Sequence, residues 1–321
     1  MAPATLLLGT LLVLAAMVLL VYRHDMRAAR GRLAGRSALL PSPYGDIEYA
    51  MAGHGGADVL VVHGAAGGWD QGALIAAAVL DERFRWIAPS RFGYLRSGCP
   101  PGASPADQAH AFAFLLDHLG IDKVAVVAMS AGGASALTFA LRHPRRVSSL
   151  TLLSCGVAAS SSDEQARADR NGKMLVRIFR SDLAFWLATR LFRGPLLRLM
   201  GIRPADVLTR GLGELQWVDR ALAAMHPASL RSRGVALDHE APLPGESIGA
   251  IEAPTLIVHA KDDALQLHHN ALFAATHIPH ARLLSFESGG HLLVATEGSA
   301  VRAAVGQHIL AHAAQAHPFA A

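Results

Sequence analysis

A serine hydroxyl is a weak nucleophile until the chain holds it clear of its neighbours and a base can take its proton. One serine of this 321-residue sequence has the surroundings for that. Residues 124–133 read VAVVAMSAGG: an apolar, β-branched run ends at Ser130, small residues follow at once, and a helical pattern covers Ser135 to Arg142. Strand, sharp turn and helix with one hydroxyl at the apex make a nucleophile elbow, whose flanking residues must be nearly free of side chain. The pentad here is Ala128-Met129-Ser130-Ala131-Gly132, with Ala where Gly-x-Ser-x-Gly has its first glycine. The bland alternative is an ordinary strand-to-helix turn in which the serine caps the helix. Three other stretches carry groups that could act with a serine: HGAAGGW (63–69), HAKDD (259–263) and SGGH (288–291).

Each of these stretches follows a run that reads as a short buried strand. Strands are predicted at Asp46–Ala52, Val59–His63, Phe84–Ala88, Lys123–Ala128, Val147–Ser154, Pro254–His259 and Ala281–Phe286. Helices are predicted at Trp69–Leu80, Ala106–Leu119, Ala131–Arg142, 268–276 and Thr296–Ala314, with His143-Pro144 stopping the third. Strands alternating with helices of this length imply parallel βαβ units and a doubly wound sheet, an α/β architecture. After Gly156 the pattern changes. Residues 157–245 hold helical apolar stretches, frequent Arg and no convincing strand, and are expected to form an inserted helical lid. Within it, 174–202 is apolar and aromatic with Arg at 177, 180, 190, 193 and 198. A helix pair with a solvated Arg face accounts for that; a face that leans on a membrane is the sharper reading.

Residues 4–22 contain no charge, and 19 helical residues span about 28 Å, enough to cross a hydrocarbon core. No Lys or Arg precedes the run and no small-x-small site closes it, which favours an uncleaved single-pass anchor (1–22) over a cleaved signal peptide. Arg23, Arg27, Arg30, Arg32 and Arg36 follow it, so the positive-inside rule puts the remainder on the cytoplasmic side. Residues 23–42 are expected as a basic linker near anionic headgroups, and 43–156 and 246–321 as the two parts of the catalytic core.

Composition narrows the partners. The net charge is only +4, carried almost wholly by Arg, and the basic residues do not interleave with stacking aromatics, so no nucleic-acid surface is expected. Cys99 and Cys155 have no CxxC spacing and read as free or buried thiols. His54, His143, His239, His268 and His269 form no spaced ligand set, so no metal is expected.

Together the four stretches resemble the α/β-hydrolases, the lidded family of esterases, lipases and carbon–carbon bond hydrolases, over residues 43 to about 315. The order serine, acid, histidine is the order that fold uses. The resemblance implies Ser130 as nucleophile, His291 as base and then acid, and Asp263 as the carboxylate orienting the imidazole, with Asp262 the competitor. It also implies an oxyanion hole from the backbone N–H groups of Ala131 and Ala65, with Ala66 the second choice, and a structural role for His63. No cofactor is implied. The expected activity is cleavage of an acyl ester, lipid-like if the anchor is real. The same scaffold serves carbon–carbon hydrolases, amidases, haloperoxidases and low-turnover binding members. A serine at the elbow speaks against epoxide hydrolases and dehalogenases, which are similar but carry Asp there.

Overall fold

The computed structural model describes residues 3–199 and 212–313. At the centre of the sheet the chain is apolar at every position because both faces are covered. Val59, Val61, Val127, Met129 and Val258 belong to one buried cluster. Leu60, Val62, Val126, Ala128 and Ile257 alternate with them and belong to the other. That is the pattern of a parallel sheet between two helical layers.

The strands are β1 (Ala38–Leu40), β2 (Ile47–Ala52), β3 (Ala57–Val62), β4 (Phe84–Pro89), β5 (Val124–Met129), β6 (Val147–Leu153), β7 (Thr255–Ala260) and β8 (Arg282–Phe286). They form one eight-stranded sheet in the order β1-β2-β4-β3-β5-β6-β7-β8. β1 and β2 pair antiparallel and β2 runs antiparallel to β4; β3 through β8 are mutually parallel. From β3 the chain moves to β4 on one side, then returns to place β5 on the other. This reversal opens a crevice at the carboxyl ends of β3 and β5, where open α/β sheets bind their ligands.

Helices α2 (Trp69–Val79) and α12 (Gly298–His312) cover one face, with Ile75, Val79, Val301 and Val305 inward. Helices α3 (Pro105–His118), α4 (Gly132–Arg142) and α10 (His269–His277) cover the other through Phe112, Leu115, Leu137 and Ala274. The single closing helix expected from Thr296 is preceded by a short turn of helix, α11 (Leu293–Thr296); its expected last residue, Ala314, lies outside the described residues.

Between β6 and β7 the chain leaves the sheet as α5 (Asp163–Phe179), α6 (Asp182–Leu191), α7 (Arg193–Leu199), α8 (Leu212–Ala224) and α9 (Ser232–Glu240). Ser162 and Ser181 cap α5 and α6 by accepting from the amides of Gln165 and Ala184. Residues 200–211 of the expected lid lie outside the described residues.

The expected basic linker is the clearest departure. Helix α1 runs from Pro3 to Leu33 without a break, and β1 begins at Ala38, so residues 23–42 are helix and sheet edge. Tyr22, Met26 and Ala29 are spaced as one helical face. Met26 and Ala29 are buried, and Tyr22 meets the edge of Trp186 at 5.6 Å. Asp25 accepts from Trp186 Nε1 (2.8 Å) and Arg190 (2.6 Å), and Arg32 donates to the Ala223 carbonyl. The second half of α1 is thus docked on the lid. Its first half is exposed, and none of its most apolar window, of mean hydropathy 2.3, is buried. Length and composition fit a membrane span, and fit a signal sequence as well.

Candidate active site

Ser130 follows β5 directly and sits in the left-handed region at φ 55°, a conformation that costs a side-chain-bearing residue energy and that the fold must hold in place. Its amide donates to the Leu153 carbonyl (3.0 Å), and its carbonyl accepts from Gly133 (3.0 Å). Close approach of the neighbouring backbone dictates the small residues. A Cβ at Gly132 would lie 2.5 Å from the His63 carbonyl oxygen, and one at Gly64 only 3.0 Å from Ser130 Cβ. Position 128 has no such constraint: Ala128 is an in-register strand residue between Val62 and Leu152 and is fully buried. The departure from Gly-x-Ser-x-Gly therefore falls where a methyl group fits.

Two turns bring the partners. The loop after β8 carries His291 and the loop after β7 carries Asp262 and Asp263. His291 Nε2 is 2.9 Å from Ser130 Oγ, and His291 Nδ1 is 2.9 Å from Asp263 Oδ2. An ionised carboxylate can only accept, so Nδ1 carries the proton and Nε2 offers its lone pair to the serine. All three residues are buried. Burial opposes ionisation of Asp263, but the adjacent His291 and the amides of Leu265 and Gln266, each 2.9 Å from Oδ1, hold its carboxyl below the ordinary value. Asp262 faces a different group: its Oδ1 accepts from the Gly290 amide at 2.9 Å, tying down the backbone that presents His291.

The loop after β3 lies opposite. Its Gly64 amide donates to Gln71 Oε1 (2.8 Å). His63 donates from Nδ1 to the Gly64 carbonyl (2.7 Å) and accepts from the Arg91 amide at Nε2 (2.9 Å). Burial, then the nearby Arg91 charge, push its pKa well below normal, so it is neutral, a brace for the loop. Ala65 lines the same cavity as Ser130 and His291. Ala131 stands at the start of α4. Ala66, the second choice, lines the same cavity beside Ala65. Cys155 is buried under the elbow, its thiol near the Ala128 carbonyl and its pKa pushed up by burial to about 12, which leaves it inert as a nucleophile. His259 donates to the Gln266 carbonyl (2.6 Å) with the Asp263 carboxylate 3.5 Å away, and burial keeps it neutral. Trp69 is buried at the start of α2; its amide donates to Ser90 Oγ (3.0 Å), and Ser90 in turn donates to the buried Glu48.

The lid closes over this constellation. A cavity of about 80 Å³, room for several waters, joins Ser130, His291 and Ala65 to Leu175 and Phe179 of α5, Trp217 and Ala221 of α8, Met225 just after it, and Val235 of α9. Two buried ion pairs hold the lid down, and neither is apparent in the sequence because each joins residues more than 140 positions apart. Arg91 pairs with Asp238 in α9 (Nη2–Oδ2 2.7 Å), which also accepts from Tyr94 Oη (2.5 Å). Arg231 binds both carboxylate oxygens of Asp70 (3.0 and 2.8 Å) and the Gly67 carbonyl.

The α/β-hydrolase fold model matches residues 59–193, which take in the β3 loop, the elbow and the start of the lid. The chain has the α/β-hydrolase fold over that stretch, with the mostly parallel eight-stranded sheet described above. It is 29% identical over 260 residues to the uncharacterized hydrolase YcgS of Bacillus subtilis, covering 78% of this chain and 89% of that one. A 2-hydroxy-6-oxononadienedioate/2-hydroxy-6-oxononatrienedioate hydrolase of Pseudomonas putida is 26% identical over 257 residues, covering 76% of this chain and 85% of its own length. Among solved structures, a bacterial membrane phospholipase A superposes with a TM-score of 0.65 at 20% identity, covering 94% of this chain and 99% of that one.

Proposed function

We propose that this protein is a serine hydrolase that cleaves neutral acyl esters through an acyl-enzyme intermediate, on a domain anchored to a membrane by α1. The observation that carries the reading is the unbroken relay from Asp263 through His291 to Ser130 Oγ, opening into an apolar cavity. In this mechanism His291 Nε2 takes the Ser130 proton as Oγ attacks the acyl carbon. The Ala65 and Ala131 amides receive the oxyanion, and each such donor contributes about 10²–10³ in rate. His291 then gives its proton to the departing alkoxide, and a water repeats the sequence to free the acid. Asp263 keeps the imidazole in the productive tautomer and stabilises its charged form.

The cavity's chemistry favours this reading over the carbon–carbon alternative, for which the Pseudomonas relative, named as an oxononadienedioate hydrolase, supplies a candidate substrate class. That substrate, a dioate, carries two carboxylates. Among the described residues no Arg or Lys lines the cavity; Gln71 and the Trp217 indole are its polar side chains beside Ser130 and His291. An unpaired carboxylate there would forfeit several kcal/mol of hydration. A neutral acyl chain would not. The exposed apolar half of α1 and the membrane phospholipase among the structural neighbours support a bilayer as the place where substrate is met, and the five Arg after the span support a cytoplasmic catalytic domain.

Labelling with a fluorophosphonate probe tests the nucleophile. Wild type should label and Ser130→Ala should not; equal labelling would overturn the assignment. A panel of nitrophenyl esters against a dicarboxylate dienoate then tests the reaction, and preference for the dienoate would replace this reading with the carbon–carbon one.

A further inference from the structure

A second cavity, of about 380 Å³, lies away from the triad, between the docked half of α1 and the lid helices α6, α7 and α8. Arg32, Arg190, Arg193, Asp25, Asp219 and His226 supply its polar wall. We propose that this cavity binds a phosphate-bearing anion, with a lipid phosphodiester headgroup as its source, and that occupancy is felt at the catalytic cavity through α8.

Three observations carry this. The first is charge. Arg190 is paired with Asp25 and Arg193 with Asp219. Arg32 has only the Ala223 carbonyl among the described residues; the nearest other acid it senses, Asp70, is already bound by Arg231. Three guanidiniums face two carboxylates, leaving a surplus of one positive charge, which a phosphodiester monoanion matches. Guanidinium groups are suited to phosphate oxygens by the geometry of their donors.

The second is an unmet acceptor. Thr189 Oγ1 donates to the Trp186 carbonyl (2.9 Å), so it accepts from His226 Nε2 (3.4 Å), and the proton of this imidazole is on Nε2. Burial holds its pKa down at about 4, so the ring is neutral. Its Nδ1 has no partner among the described residues. A small ring adjustment toward a glycerol hydroxyl on the ligand would satisfy it.

The third is position. The exposed apolar run of α1 reaches Val21, and Asp25 stands one turn beyond it on the same helix. If that run crosses a bilayer, which is the anchored reading above and on which the lipid source rests, the cavity stands at headgroup level. Helix α8 serves both cavities: Asp219, Leu222 and Ala223 line this one, and Trp217 and Ala221 line the one over Ser130. A ligand between α1 and α8 therefore bears on the wall of the acyl site.

The test is native mass spectrometry of the full-length chain released from detergent, with phosphatidylglycerol or phosphatidylcholine added. It is run on wild type, Arg32→Gln, Arg32→Lys and Ser130→Ala. We expect one retained phosphatidylglycerol, weakened about tenfold in Arg32→Gln, the loss of roughly one ionic contact, and kept in Arg32→Lys and Ser130→Ala. Turnover of a soluble short-chain ester should rise about fivefold with phosphatidylglycerol in the wild type, within the usual range of coupling, and not in Arg32→Gln. Competition by millimolar glycerophosphate or inorganic phosphate would assign the anion to a soluble source, and absence of competition to lipid; both keep the site. Equal retention of the two lipids, no effect of Arg32→Gln, or an equal loss in Arg32→Lys would overturn it. Loss of the lipid in Ser130→Ala would place it in the catalytic cavity and overturn it too. If the hydrolase reading fails instead, Ser130→Ala retains both activity and lipid, so the two failures are distinct.

Discussion

At the scale of single residues, two adjacent carboxylates take different work from one turn. Asp263 meets the imidazole and Asp262 meets the Gly290 amide. Asp263→Asn cannot hold the Nδ1–H tautomer, and kcat should fall about 10⁴-fold. Asp262→Asn keeps an oxygen acceptor for Gly290 and should cost far less, about tenfold at most by loss of a charge-assisted bond. Steady-state kinetics of the two variants checks this. Because Asp263 is held below its ordinary pKa in the fold, its ionisation contributes stability that is present above the unfolded value of about 4 and lost as pH falls through the folded one. Urea titrations at acid pH should show a shallower decline for Asp263→Asn than for wild type. Ala128 gives the complementary prediction. Since its methyl group fits the strand, Ala128→Gly should not improve turnover and should lower stability by about 1 kcal/mol. Ser130 and His291 were legible because their neighbours must be small. The division between Asp262 and Asp263 was legible only through family resemblance, since two consecutive carboxylates on a loop give no periodicity to read.

Among elements, the strands and the helices packed on them were the readable part, because burial on both faces writes itself as continuous apolar runs such as VLVV and VAVVAM. The three-residue β1 was not, since its exposed edge demands no pattern. The lid's clamps were hidden for another reason: Arg91, Tyr94 and Asp238 look like loop and helix-surface residues until the fold brings them together, and Arg91 is then buried against His63. Burial works against the Arg91 charge, and Asp238 more than offsets it, keeping the guanidinium charged. Asp238→Ala would leave that charge buried and unpaired, a loss of about 3–5 kcal/mol. Because the pair links the β4 loop to α9, the damage should centre on the lid. Hydrogen exchange should rise first in α9 and around His63, while α3 and α4 on the opposite face keep their protection. Uniform loss across the sheet would show that the clamp supports the whole fold instead.

For the whole molecule, the sequence suggested a basic linker over residues 23–42, and the structure instead continues helix α1 to Leu33 and docks it on the lid. Arg-rich segments read as solvated, and the alternation of Tyr22, Met26 and Ala29 on one face is too short to stand out within so basic a stretch. Their burial makes the second half of α1 part of the lid's support, a role separate from the anchoring proposed for its first half. Two truncations separate those roles. Removing residues 1–21 takes away the exposed apolar run and leaves Asp25, Met26, Ala29 and Arg32 in place, so the protein should lose its membrane association and keep its unfolding midpoint. Removing residues 1–33 also strips the buried Met26 and Ala29 side chains and the Asp25 bond to Trp186. Their area and one buried indole N–H left without a partner together amount to about 2–4 kcal/mol. The indole belongs to α6, whose Phe185 packs on Phe179 of α5 (ring centroids 4.4 Å apart), and Phe179 lines the cavity over Ser130, so the longer truncation should also raise the KM for a soluble ester while Ser130 still labels. If both truncations unfold at the same denaturant concentration as the full chain, the docked half of α1 carries no stability and the lid stands without it.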